Sequence, residues 1–102
     1  MGTVTLLDQI QTTKTTDGKQ LSYPISCLQA VISGSGSISA TVIVEVSLDN
    51  QNWVTFCTFS LSGTTLVSEP YTPPYPIRWT YIRTRITAIS GTNAAVSLMV
   101  GD

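Results

Sequence analysis

The segment Ile38–Leu48 constrains this chain most. Its even positions are Ile38, Ala40, Val42, Val44, Val46 and Leu48, and its odd positions are Ser39, Thr41, Ile43, Glu45 and Ser47. Successive side chains of a strand point to opposite faces, so this alternation puts one apolar face into a core and turns Glu45 outward. No window of the chain shows the i, i+3, i+4 apolar spacing of an amphipathic helix. Before the segment, Ser33-Gly34-Ser35-Gly36-Ser37 predicts a flexible turn. After it, Asp49-Asn50-Gln51-Asn52 predicts a turn whose short side chains bond their own backbone.

The same pattern recurs downstream. In Trp53–Leu61, parity groups Trp53, Cys57, Phe59 and Leu61 on one face and Val54 and Phe56 on the other, which makes Trp53 a core residue. Ser62-Gly63-Thr64 predicts a turn into a short strand over Thr65–Ser68. Proline lacks the ladder donor, so Tyr71-Thr72-Pro73-Pro74-Tyr75-Pro76 reads as an extended loop. Arg78–Ile89 alternates again, with Ile82, Ile86 and Ala88 on one face and Trp79, Tyr81, Arg83 and Arg85 on the other. Ser90-Gly91-Thr92-Asn93 predicts a hairpin turn into a last strand whose inward face is Ala94, Val96, Leu98 and Val100. Ile25–Ser33 is a further strand, apolar at both parities, so its facing stays open. Residues 8–20 are polar and weakly patterned. The expected organisation is an N-terminal arm or edge strand over residues 1–20 and one β-sandwich domain over residues 21–102. The expected class is all-β, an antiparallel sandwich of immunoglobulin-like or jelly-roll type with about seven or eight short strands.

Composition narrows the functional classes. With 102 residues, 11% of them charged, and five Lys and Arg against six Asp and Glu, the chain lacks the basic surface of a nucleic-acid binder or of a polybasic membrane patch. Its first residues show neither the basic nor the apolar region of a signal peptide, and no stretch is apolar enough for a membrane-spanning helix. Cys27 and Cys57 form no CxxC motif. Two buried free thiols are expected, with an inter-sheet disulfide as the alternative.

Catalytic chemistry finds little purchase. There is no histidine, so no Ser–His or Cys–His pair exists. Lys14 and Lys19 sit in the polar N-terminal segment, where nothing suggests a lowered pKa. Among the acids, only Glu45 lies in the middle of a clearly alternating strand, where it is expected to face Arg83 or Arg85 as a surface ion pair. Asp49, Asn50 and Asn52 hold a single carboxylate and read as a turn rather than a calcium loop. No catalytic residue, cofactor or metal site is expected. Recognition remains. Trp79, Tyr81, Arg83 and Arg85, with Glu45 alongside and Tyr75 from the proline loop, form the candidate interaction surface. Aromatic residues and arginine are the types enriched in binding hot spots. Such a strip suits a protein partner, a neighbouring copy or a glycan stacked on the rings.

Three motifs carry a resemblance: Ser47 to Trp53 (Ser-x-Asp-x-x-Asn-Trp), Tyr81 to Ala88 (Tyr-Ile-Arg-x-Arg-Ile-Thr-Ala) and the turn Ser90-Gly91-Thr92 before an apolar final strand. Over residues 38–100 the chain resembles small virion structural proteins of tailed bacteriophages and related modules of head and tail proteins. The Asp-x-x-Asn-Trp turn is shared with carbohydrate-binding sandwiches. The resemblance implies a non-enzymatic virion protein, foremost a capsid decoration (cement) protein that binds the major capsid protein and bridges neighbouring subunits. The alternative it implies is a neck, tail or fibre module that binds host-surface glycan. It further implies homo-oligomeric assembly and a virion location after synthesis in the bacterial cytoplasm.

Overall fold

The computed structural model describes residues 3–21, 25–73 and 79–101. Six antiparallel strands form one sheet: β1 (Thr3–Ile10), β2 (Lys14–Thr15), β3 (Lys19–Gln20), β4 (Cys27–Ser47), β5 (Val54–Tyr71) and β6 (Tyr81–Gly101). The order across it is β1-β6-β4-β5, with β2 and β3 also on β6. Described residues contain no helix, in keeping with the β-branched and aromatic composition. The expected all-β antiparallel class is what the chain adopts.

The strands are fewer and longer than their punctuation suggested. β4 has 21 residues. At about 3.3 Å per residue a straight strand of that length reaches roughly 70 Å. The whole molecule measures 38 Å at its longest. The strands therefore fold back on themselves, and the fold line is where the three Gly–Ser segments lie side by side. Ser37 pairs with Thr64, Ile38 with Gly63, Ser35 with Thr92 and Ser39 with Ser90. The ladder slips at this line between Ser33 and Ser37 on the β5 side and between Ser33 and Ser39 on the β6 side. Each long strand carries a positive φ there: Gly36 (72°), Thr65 (67°), Gly91 (121°) and Asn93 (55°). These segments are bulges that crease a continuous sheet, not turns that end its strands. The N-terminal segment follows the same path, with β1 on the far half of β6 and β2 and β3 on its near half.

Creasing turns one sheet into two facing layers. Leu28, Ala30 and Ile32 before the crease, and Ile38, Ala40, Val42, Val44 and Val46 after it, share one parity of β4 and one buried cluster. β6 adds Ile82 and Ile86 from one layer and Ala94, Val96, Leu98 and Val100 from the other. β5 adds Phe59 and Leu61. Phe56 and Tyr71, from opposite halves of β5, meet edge to face at 5.9 Å. The even parity of β4 settles the facing that the sequence left open from Cys27 onward, while Ile25, ahead of the strand, is also buried.

Residues 3–20 lie on the sheet edge. Leu7 is 2% exposed and belongs to the core. Gln9, at φ 54°, donates its N–H to Ser97 Oγ where β1 bulges. Thr16 exchanges backbone and side-chain bonds with Thr84 on β6. Several side chains depart from their expected faces. Leu48 is exposed because β4 ends at Ser47. Ala88 is exposed because the register slips between Thr41 and Val42, which turns Ala88 outward opposite Thr41. Cys27 is exposed and Cys57 half-buried, both as free thiols, so only one resembles the buried pair expected.

Candidate functional site

A bulge decides which side chains meet outside the core. Val44 pairs with Cys57, but the next position, Glu45, pairs with Thr55, so Phe56 is the extra residue. An extra residue reverses the parity of everything beyond it. Cys57, Phe59 and Leu61 keep the inward parity, whereas Trp53 is carried to the outer face. The expectation of a core Trp53 is corrected on that ground: the indole is half-exposed and lies under Arg83, whose guanidinium carbon is 4.3 Å from the ring centroid. Such a stack is favourable by about 0.5–2 kcal/mol, depending on how dry it is.

Glu45 and Arg83 are direct partners in the β4–β6 register. Arg83 Nε donates to Glu45 Oε1 at 2.7 Å, and Arg85 Nη1 reaches Oε2 at 3.5 Å. Glu45 is 6% exposed, more buried than the surface pair expected of it, with both arginines on its carboxylate. Arg83 is thus held twice, by a charge-assisted bond at Nε and by an aromatic face.

The remaining expected residues divide. Tyr81 is half-buried on β6, on the parity of Arg83 and Arg85, and pairs with Ser47 and Gln20. Trp79 precedes β6, so strand parity does not extend to it. It packs half-buried against the core instead of joining the outer strip. Tyr75 lies outside the described residues.

A polar cleft of about 410 Å³ opens beside the cluster, lined by Thr15, Thr16, Asp17, Gly18, Asn50, Trp53 and Arg83. It lies between the β2–β3 turn and the β4–β5 hairpin. Gly18 permits that approach, because a β-carbon there would overlap Asn50 Oδ1 and come within 2.9 Å of the Trp53 ring. The hairpin wall is braced by Asp49. Its Oδ1 accepts the N–H groups of Gln51 (2.9 Å) and Asn52 (2.8 Å), and its Oδ2 accepts Asn52 Nδ2 (2.7 Å). Ser47 Oγ donates to Asp49 and accepts the N–H groups of Asp49 and Asn50. These donors, led by the Asn52 and Gln51 amides, hold the Asp49 carboxyl well below the usual carboxylate range. Asp49 is therefore occupied as a turn brace. The cleft and the outward Trp53 are what sequence reasoning missed; the unseen bulge at Phe56 hid Trp53, and the cleft needs Gly18 to meet the hairpin from the other end of the chain.

No family model matches the chain, and no curated protein matches it by sequence. Among solved structures, the fold is similar to the crystal structure of PBSX exported protein XepA, with a TM-score of 0.56 and 15% identity. The likeness covers 98% of this chain and 37% of that protein, so the chain spans little more than a third of its neighbour's length. At this identity the fold is shared.

Proposed function

We propose that this chain is a non-enzymatic structural component of a bacteriophage particle, foremost a decoration protein that binds the shell and bridges neighbouring subunits. The observation that carries the reading is the outer-face cluster of Trp53, Arg83, Glu45 and Arg85. The cluster draws on β4, β6 and the residue before β5, and its central guanidinium is already fixed by an ion pair and a stack. A pre-positioned arginine loses little freedom on binding, which favours recognition of a protein surface. Similarity of fold to a phage-associated protein supports the particle context. Many copies, each bound modestly across two shell subunits, would raise the resistance of the shell through multivalency. Quantitative mass spectrometry of source particles tests it. A copy number comparable to the shell subunits, or a simple fraction of them, is expected, together with loss of particle association in Arg83→Ala. A few copies per particle would overturn the decoration role.

The polar cleft favours a second reading, a neck, tail or fibre module that binds host glycan. An indole beside hydroxyl, amide and carboxylate groups offers a stacking face and hydrogen-bond partners to a sugar. Here Trp53 takes the place expected of Trp79. Saturable glycan binding, lost in Trp53→Ala, supports this reading; glycan arrays with no bound sugar would sink it.

A further inference from the structure

The charges around the polar cleft narrow what it can hold. Four of the chain's five basic residues, Lys14, Lys19, Arg83 and Arg85, sit on β2, β3 and the first part of β6. Of the acids on the same side, Glu45 is engaged by both arginines, and Asp49 by the groups of its own turn. Asp17 is exposed on the β2–β3 turn. The strands of the opposite layer carry Asp8 and Glu69 and no basic residue among the described residues. A chain of net charge −1 therefore collects its positive charge on the cleft side.

We infer that the cleft binds a sugar that carries a carboxylate, and that Arg83 selects it. The inference rests on the sugar-binding reading of the cleft and names the class of sugar. Arg83 gives its Nε to Glu45 and lies over Trp53, while its two terminal nitrogens make no hydrogen bond to any described residue. A guanidinium keeps its charge at every physiological pH and meets a carboxylate with two parallel N–H bonds. The ion pair and the stack hold that fork in place before a ligand arrives, so little freedom is lost on binding. Arg83 already covers one face of the indole, which leaves at most the other to a sugar ring. Charge, more than stacking, is what this site offers. Thr16 is spent on Thr84, but the side chains of Thr15 and Asn50 hydrogen-bond no described residue and are partners for ring hydroxyls. Lys14 and Lys19 pair with Ile86 and Ile82, whereas Thr15 pairs with Arg85. The lysines therefore extend from the other face and act on the ligand through their field, not by contact. The volume of about 410 Å³ lies within the roughly 300–1,000 Å³ of small-molecule sites.

A glycan array bearing uronic-acid, sialic-acid and neutral glycans tests it, followed by titration of the full chain with the strongest acidic glycan and with its methyl ester. Acid and ester share ring and hydroxyls and differ in charge. The acid is expected to bind about ten- to a hundredfold more tightly, with the gap narrowing in high salt. Hydrogen exchange should show residues 14–18 and 50–53 gaining protection together, because the cleft has a wall from each. Arg83→Lys keeps the charge, loses the fork and should lose most of the preference for acid over ester. Asp17→Asn, at an exposed position, removes the opposing charge and should tighten the acid about two- to fivefold; a loss of affinity there would count against the inference. Array binding confined to neutral glycans, or equal affinity for acid and ester, overturns the inference and leaves the sugar reading standing. An array with no bound glycan overturns both. A glutamate peptide that binds as tightly as the acidic glycan also overturns the inference. The comparison of acid with ester on the wild-type chain decides the matter even where the Arg83 variant fails to fold.

Discussion

Gly91→Ala tests the crease directly. Gly91 sits at φ 121°, outside the range L side chains adopt readily, and a β-carbon there would lie 2.8 Å from Ser37 O and 2.7 Å from Ile38 Cγ2. The Ser37 carbonyl belongs to the adjacent strand and yields only if the fold line opens. Strain at such a dihedral costs about 1–3 kcal/mol. Forcing extra volume into a packed site costs about 1–3 kcal/mol more. Removing a glycine returns about 0.4–1 kcal/mol through the unfolded chain. The net expectation is a loss of about 2–5 kcal/mol, a large share of the total stability of a small domain. Near 100 residues each kcal/mol moves the midpoint by about 4–8 °C, so Tm should fall by roughly 8–40 °C. Gly36→Ala is the control: φ is 72° and nothing lies within 4 Å of the new β-carbon. It bears only left-handed strain of about 1–2 kcal/mol, less the same return, and should lose at most about 1.6 kcal/mol. Thermal unfolding by circular dichroism compares the two. Equal shifts in Tm would refute the claim that close strand approach at Gly91 shapes the crease.

Leu7→Ala should cost about 2–5 kcal/mol in urea unfolding, since Leu7 is buried in the core; a loss under about 0.5 kcal/mol would mean that residues 3–10 are a free arm. Glu45→Gln should cost about 1–2 kcal/mol, a figure discounted because Arg83 and Arg85 are partly solvated, and a double-mutant cycle with Arg83→Ala should find most of the coupling in that pair. Burial pushes the Cys57 thiol up to about 11, so Cys27 should react with a thiol reagent at neutral pH long before Cys57; equal labelling rates would contradict the half-buried placement. The same shift implies stability that is present below pH 9 and falls as pH rises toward 11. Asp49 has the opposite sign: its contribution is present above the ordinary aspartate pKa of about 3.9 and is lost as pH falls through the depressed folded value. A carboxyl carbon titration by NMR with an Asp49 midpoint in the ordinary range would show that the turn brace is not formed.

What the sequence made legible is local alternation. The inward faces of Ile38–Val46 and Ala94–Val100 were readable because each runs without interruption. Trp53 and Ala88 were misread for a single reason: an inserted residue reverses parity, and a bulge leaves no mark in hydrophobicity. Gly34, Gly63 and Gly91 were recognised as special positions, but a glycine that ends a strand and one that bends it look alike in sequence. Which applies is decided by the neighbouring strand, and here the neighbours bend together. The Glu45–Arg83–Arg85 association was foreseeable from outward parity on adjacent strands. The cleft was not, because it depends on Gly18 meeting the hairpin from the other end of the chain.

The pairing of β1 with β6 sets Thr3 opposite Gly101, so the first strand of the chain is held by the last. During synthesis the β4–β5 hairpin has both its strands as soon as Tyr71 has emerged, and its braced turn gives it a local start. Leu7, by contrast, has no ladder to join until the C-terminal half of β6 leaves the ribosome. Leu7 therefore waits in water until that half emerges, and a nascent chain that stalls short of Ala95 has no seat for it. Emergence of the C-terminal half of β6 and closure of this fold are the same event.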